Sequence, residues 1–168
     1  MPHVVSLSAL DYSRLYGSES GWEFWFGEPR RKPMPTPFHG ILQLLLGQLL
    51  KLAGYRASTE TELRIAPDWF PRPDVTGIDK ATPVESYPTR PVDVVFEVLS
   101  EGEEATEKCR LYSNVRIPQI FYFDPEQRKI YAWDSGQLVP VENVALANGA
   151  TIMGEEIWTE FERAVKAC

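Results

Sequence analysis

Only two of the 168 residues are cysteine, Cys109 and Cys168, and they form no CxxC pair and no metal-ligand cluster. A thiolate zinc site is excluded on that ground, and so sparse a use of cysteine fits a reducing cytoplasm. Long hydrophobic runs are missing too. The best candidate, 41–53, is short and interrupted by Gln43, Gln48 and Lys51, so no membrane span is expected. The N-terminus carries Asp11 and lacks a basic region followed by an apolar block, so no signal peptide is expected either. Positive charge is scarce: 17 Lys and Arg stand against 24 Asp and Glu, a net charge of −7. That balance opposes tight, unaided binding of nucleic acid, where phosphate neutralisation supplies most of the affinity. A phosphate loop of the Gly-Lys-Ser/Thr type is absent, so no nucleotide cofactor is expected. Ser100 lacks the Gly-x-Ser-x-Gly context of a serine hydrolase.

What is present is an apolar, 12% aromatic chain able to bury one full core, expected as a single domain over 1–168. Ser8 starts a short helix that Gly17 ends. Residues 22–26 read as a strand and 28–32 as an edge strand, since Pro29 suits an edge. Thr36 and Pro37 are the N-cap and first residue of a long helix that Gly54 terminates. Its leucines point in nearly every direction, which predicts packing on several sides. Strands are predicted over 62–66, 74–78, 92–99, 120–123, 129–133 and 137–141. Helices are predicted over 103–113 and 157–165. The order indicates an α/β fold, a mixed β-sheet flanked by helices.

The chemistry concentrates around the run Val92-Asp93-Val94-Val95-Phe96-Glu97-Val98-Leu99. A charge in so apolar a strand costs several kcal/mol unless something compensates it. Side chains alternate along strands, so Asp74 and Glu97 converge if their strands pair. Two carboxylates of this kind can hold Mg²⁺ or Mn²⁺, with the Val98 backbone carbonyl as a further oxygen. Lys108, on the following helix, can position a water or offset charge on phosphorus, which together makes a kit for phosphodiester hydrolysis. Each residue has a plainer reading. Asp74 can cap a turn, Glu97 can sit in a structural ion pair, and Lys108 can pair with Glu104 on the helix surface. His39 opens the long helix and is either structural or an auxiliary site residue, Glu104 is a further auxiliary candidate, and Tyr112 is read as packing with its hydroxyl near the site. Arg30, Arg31 and Lys32 form a basic patch that can touch DNA phosphates, or merely a solvated hairpin tip.

Four stretches in order are similar to one family: Arg-Pro-Asp74-Val, Val-Phe-Glu97-Val-Leu-Ser, Lys108-x-x-x-Tyr112, and Ile-Pro-Gln-Ile-Phe-Tyr-Phe-Asp124-Pro125. With Trp22-Glu23-Phe24, Gly27-Glu28 and Pro37-Phe38-His39, they resemble the Uma family of putative restriction endonucleases, within the PD-(D/E)XK nuclease superfamily. The resemblance covers about residues 22–133. It implies a restriction-endonuclease-like fold and a metal-dependent DNA endonuclease. Asp74 and Glu97 would bind the metal, and Lys108 would be the active-site lysine, moved onto the helix because Leu99 holds its usual place. It also implies that His39 or Gln43 replaces the acid the superfamily often carries on its first core helix. A homodimer is expected, with Trp22, Trp25 and Phe26 as a possible contact. The shortened Glu97–Lys108 connection supports a second reading, a nuclease-fold interaction module with a weakened site.

Overall fold

The computed structural model describes residues 6–17 and 19–167. Helix α1 (Ala9–Tyr16) starts at Ser8, whose hydroxyl oxygen accepts the Asp11 N–H. Strand β1 (Trp22–Trp25) turns through Gly27 into β2 (Glu28–Arg31). Helix α2 (Pro37–Leu52) is capped by Thr36, which accepts the His39 N–H. Then come β3 (Tyr55–Thr59), β4 (Trp69–Phe70), β5 (Val75–Asp79) and β6 (Val94–Val98). Helix α3 (Ala105–Asn114) leads into β7 (Gln119–Asp124), β8 (Lys129–Asp134) and β9 (Gln137–Val141). A two-stranded ribbon of β10 (Asn143–Ala145) and β11 (Thr151–Met153) precedes α4 (Gly154–Lys166). No helix among the described residues is long and apolar enough to cross a membrane.

The main sheet runs β3-β5-β6-β7-β8-β9. β6 and β7 are parallel, joined through α3, and the other neighbours are antiparallel, so the sheet is mixed as expected. β6 is interior and wholly buried. Its alternate residues serve two cores: Val94, Phe96 and Val98 pack with α2 and α4, and Val95 packs with Cys109 and Tyr112 of α3. Glu97 shares the α3 side. Gly77 of β5 lets α2 lie close to the sheet, because a Cβ there would fall 2.8 Å from the Leu50 side chain.

A second sheet, β2-β1-β4, carries α1 on a small core of Tyr12, Phe24 and Phe70. Trp22 packs on Tyr16, and Trp25 on Trp69, which leaves Phe26 as the exposed member of the aromatic trio expected at a dimer contact.

Two expectations need correction. Helix α2 buries one face, through Leu42, Leu46, Leu49 and Leu50, while Leu44 and Leu52 are exposed. Leucine spacing alone overstated its coverage. Residues 62–66 form no strand. Their backbone is taken by neighbouring loops, with Leu63 N–H donating to the Pro71 carbonyl and Arg64 N–H to the Pro88 carbonyl. Glu62 is clamped there by Arg64 and Arg72. One edge of the sheet is β3, immediately after Gly54, whose φ of +105° ends α2 in a conformation glycine adopts freely.

Candidate functional site

Asp74 lies one residue before β5, and the antiparallel register pairs Val75 with Phe96. The next step along that register sets Asp74 opposite Glu97. The Asp74 N–H donates to Glu97 Oε2 at 3.2 Å, and the Val98 N–H donates to Asp74 Oδ2 at 2.8 Å. Both carboxylates are nearly sealed from solvent, 2% and 1% exposed. What Val98 contributes to Asp74 is thus its N–H.

Lys108 and Tyr112 are spaced i, i+4 and share the inner side of α3. The Lys108 Nζ lies 2.9 Å from Glu97 Oε1, and the Tyr112 hydroxyl donates to the same oxygen. Lys108 turns inward to Glu97, with Glu103 Oε1 at 3.5 Å and Glu23 Oε1 at 3.9 Å. Glu104 is exposed at the start of α3 and meets Lys108 only through its backbone carbonyl. The shortened connection between Glu97 and α3 therefore does not keep Lys108 out of the site.

A second cation enters from β2. Lys32 lies just past that strand, and its Nζ is 3.2 Å from Asp74 Oδ1, 3.0 Å from Glu60 Oε2 and 2.7 Å from the Arg72 carbonyl. This departs from the expected basic patch. Arg30 and Arg31 stay outside, Arg30 over the Trp25 ring and Arg31 near that of Trp22, while Lys32 is drawn in. From α2, His39 Nε2 is 3.2 Å from Asp74 Oδ1, and Gln43 donates to the Asp74 carbonyl and to Glu60. His39 Nδ1 is 3.4 Å from the Ser100 hydroxyl. Both residues expected to replace the acid of the first core helix thus reach the site.

Burial and charge pull the two carboxylates apart. Burial alone would raise the Asp74 pKa, but the His39 hydrogen bond and the Lys32 ammonium outweigh it and hold Asp74 well below the usual carboxylate range. Burial raises Glu97, Asp74 and Glu103 add to it, and Lys108 opposes it; the carboxyl ends at about 8. Burial would lower the Lys108 pKa, yet Glu97, Glu23 and Glu103 carry it well above its ordinary value.

Glu23, Glu60 and Glu103 were not expected as site residues, although Glu23 stands in one of the family-like stretches. Glu23 Oε1 accepts the Arg72 N–H at 2.7 Å and its Oε2 accepts the Trp25 indole N–H at 3.0 Å. Glu103 takes the Tyr122 hydroxyl and the Ser100 N–H. The one available signal was an acid set among aromatics in Trp22-Glu23-Phe24-Trp25. Above these groups opens a cleft of about 810 Å³, lined by Arg30 and Arg31 and by Glu101, Glu104 and Glu107.

Among the described residues, no group of three or more His, Cys, Asp and Glu side chains is arranged to hold a metal ion. Mg²⁺ needs less than that: one or two carboxylates suffice when waters and a phosphate complete the shell. Asp74 Oδ2 and Glu97 Oε2 each accept one backbone N–H and keep a second lone pair. The carboxyl groups of Glu23, Glu60, Asp74, Glu97 and Glu103 also outnumber the ammonium groups of Lys32 and Lys108. A donor set of hard oxygens with surplus negative charge fits a hard divalent cation.

The profile of the Uma2 family, described as "Putative restriction endonuclease", matches residues 9–166. A crystal structure of a nuclease so far only inferred, belonging to DUF820 and from Anabaena variabilis, superposes with a TM-score of 0.73 at 14% identity. It covers 92% of this chain and 99% of that one, and shows a shared fold. A cryo-EM structure of a DrdV–DNA complex overlaps only partially, with a TM-score of 0.40 at 16% identity, over 71% of this chain and 10% of that one. No curated protein matches the chain.

Proposed function

The chain belongs to the Uma2 family of putative restriction endonucleases, and from that premise we propose that it is a divalent-metal-dependent DNA endonuclease. The observation that carries the reading is the meeting of Asp74 and Glu97, Glu97 accepting the Asp74 N–H and Asp74 the N–H of the adjoining Val98, with the Lys108 ammonium 2.9 Å from Glu97.

Asp74 and Glu97 would hold Mg²⁺ or Mn²⁺, with the Val98 carbonyl as a further oxygen. Lewis acidity toward a water and toward the scissile phosphate is the chemistry such an ion supplies when bound. Lys108, kept charged by the carboxylates around it, donates a hydrogen bond to the attacking water and balances negative charge growing on the phosphate. Tyr112 and His39 are positioning residues, the first orienting Glu97 and the second Asp74. Arg30 and Arg31 lie where a DNA backbone entering the cleft would pass. A second copy would supply the second active site that cutting a duplex requires.

The test is cleavage of supercoiled plasmid with Mg²⁺ or Mn²⁺, beside calorimetric titration of Mn²⁺. Nicking and linearisation that vanish with chelator, and in Asp74→Ala, Glu97→Ala and Lys108→Met, are the expected result. A folded protein that neither cleaves nor binds Mn²⁺ at millimolar concentration overturns it. That outcome favours a nuclease-fold interaction module, a reading consistent with the net charge of −7.

A further inference from the structure

The Lys32 ammonium is set in a nest of oxygen atoms drawn from two separate segments, Glu60 and the stretch 72–74. Glu60 Oε1 lies at 3.1 Å, Glu60 Oε2 at 3.0 Å, the Arg72 carbonyl at 2.7 Å and Asp74 Oδ1 at 3.2 Å. The side chain is only 14% exposed, so this is not a surface lysine resting on a passing carboxylate. Gln43 donates to Glu60 Oε1 and to the Asp74 carbonyl, so the nest is braced from α2 as well. Carboxylate and carbonyl oxygens from several segments are the donors that hard divalent cations take. In this chain a covalently attached cation takes them.

We propose that Lys32 is a built-in competitor of the catalytic metal: its ammonium sits on Asp74 Oδ1, the oxygen that His39 Nε2 also meets, and must withdraw toward Glu60 and the Arg72 carbonyl for a divalent ion to bind fully. The inference rests on the metal-dependent reading above. Two like charges on one carboxylate repel, so Lys32 weakens metal affinity in the free protein. The same lysine helps to compensate Asp74, which is buried, and the half-buried Glu60 while no metal is present, sparing the fold part of the cost of a buried carboxylate. Glu60 gives the ammonium a place to remain once it leaves Asp74. Metal loading is then an exchange of cations on Asp74, with Lys32 left beside the cleft where a substrate phosphate would arrive.

Calorimetric titration of Mn²⁺ into the full chain tests this. Lys32→Met should bind Mn²⁺ about tenfold or more tighter than wild type, since one repelling charge is removed at short range. Lys32→Arg, which keeps the charge, should bind like wild type. Mn²⁺ should also raise the melting temperature of Lys32→Met more than that of wild type, because the ion restores the compensation that the mutation removed. If Lys32→Met does not fold, Lys32→Gln retains donors for Glu60 and the Arg72 carbonyl, and the same direction is expected. Equal or weaker Mn²⁺ affinity in the folded uncharged variant overturns the competitor role, while wild-type binding that Glu97→Ala abolishes leaves the metal-dependent reading standing. If neither wild type nor the uncharged variant binds Mn²⁺, both fall together.

Discussion

Lys108 pairs with Glu97 inside the protein, 2.9 Å away, and not with Glu104 one helical turn before it. The choice costs desolvation of an ammonium, which a surface pair with Glu104 would have avoided. Three carboxylates around Lys108 offset that cost, and Tyr112 adds a hydroxyl on the oxygen that Lys108 meets.

Tyr112→Phe removes that hydroxyl and leaves a buried carboxylate oxygen with one donor fewer. The expected loss is about 1–3 kcal/mol of stability, as for a buried polar group left short of a hydrogen-bond partner. Cleavage should fall without disappearing, since Lys108 and the carboxylates remain. Urea denaturation and plasmid nicking rates measure the two effects.

Stability of the metal-free protein should fall as pH rises toward and through about 8, the value to which burial pushes Glu97. A carboxyl whose folded pKa lies above its unfolded value binds its proton more tightly when folded. Its contribution is complete below the ordinary carboxylate range and is lost as pH rises through the folded pKa. Glu97→Gln should flatten this slope and abolish Mn²⁺ binding. Melting temperature against pH in chelator, for wild type and variant, is the measurement, and an equal slope in both would refute the assignment.

Gly77→Ala should destabilise the fold by about 1–3 kcal/mol, because its Cβ would press on Leu50 across the contact between α2 and β5. The effect should be the same with and without Mn²⁺, which separates a packing fault from damage to the site. Thermal melts in both conditions decide it.

Arg30→Ala combined with Arg31→Ala should weaken DNA binding at every sequence alike. The slope of log affinity against log salt should drop by up to about 2, roughly one for each phosphate left without its arginine. Mn²⁺ affinity should hardly change, because neither arginine reaches Asp74 or Glu97. Fluorescence anisotropy with labelled DNA over a salt series provides the slopes.

The acids of the central site were legible because their surroundings are local. Glu97 sits in a run apolar enough to announce a buried charge, and Asp74 borders a strand that the structure pairs with that run, the condition on which their convergence depended. The caps of α2 were equally plain, since Thr36, Pro37 and Gly54 act through their own backbone neighbours. Lys32 was not legible as a partner of Asp74. Its neighbours Arg30 and Arg31 are exposed, and only the docking of β2 against the 60–74 segment turns Lys32 inward. Glu23, Glu60 and Glu103 share that origin, each meeting the site across long stretches of chain or through an irregular turn. Residues 62–66 misled because alternation of polar and apolar residues also suits a chain clasped by loops.

The small sheet that carries Glu23 and Lys32 has a consequence for how the protein comes to exist. Part of the cleft's charged lining, Glu23, Arg30, Arg31 and Lys32, is delivered by an early stretch of chain that must reach a region made 40 residues or more later, as Lys32 does to the Arg72 carbonyl. Contacts of such span form late, after loop-closure entropy has been overcome. The charged surroundings of Asp74 and Glu97 are therefore complete only once the hairpin has docked, so the order in which the two sheets form decides when the pocket exists.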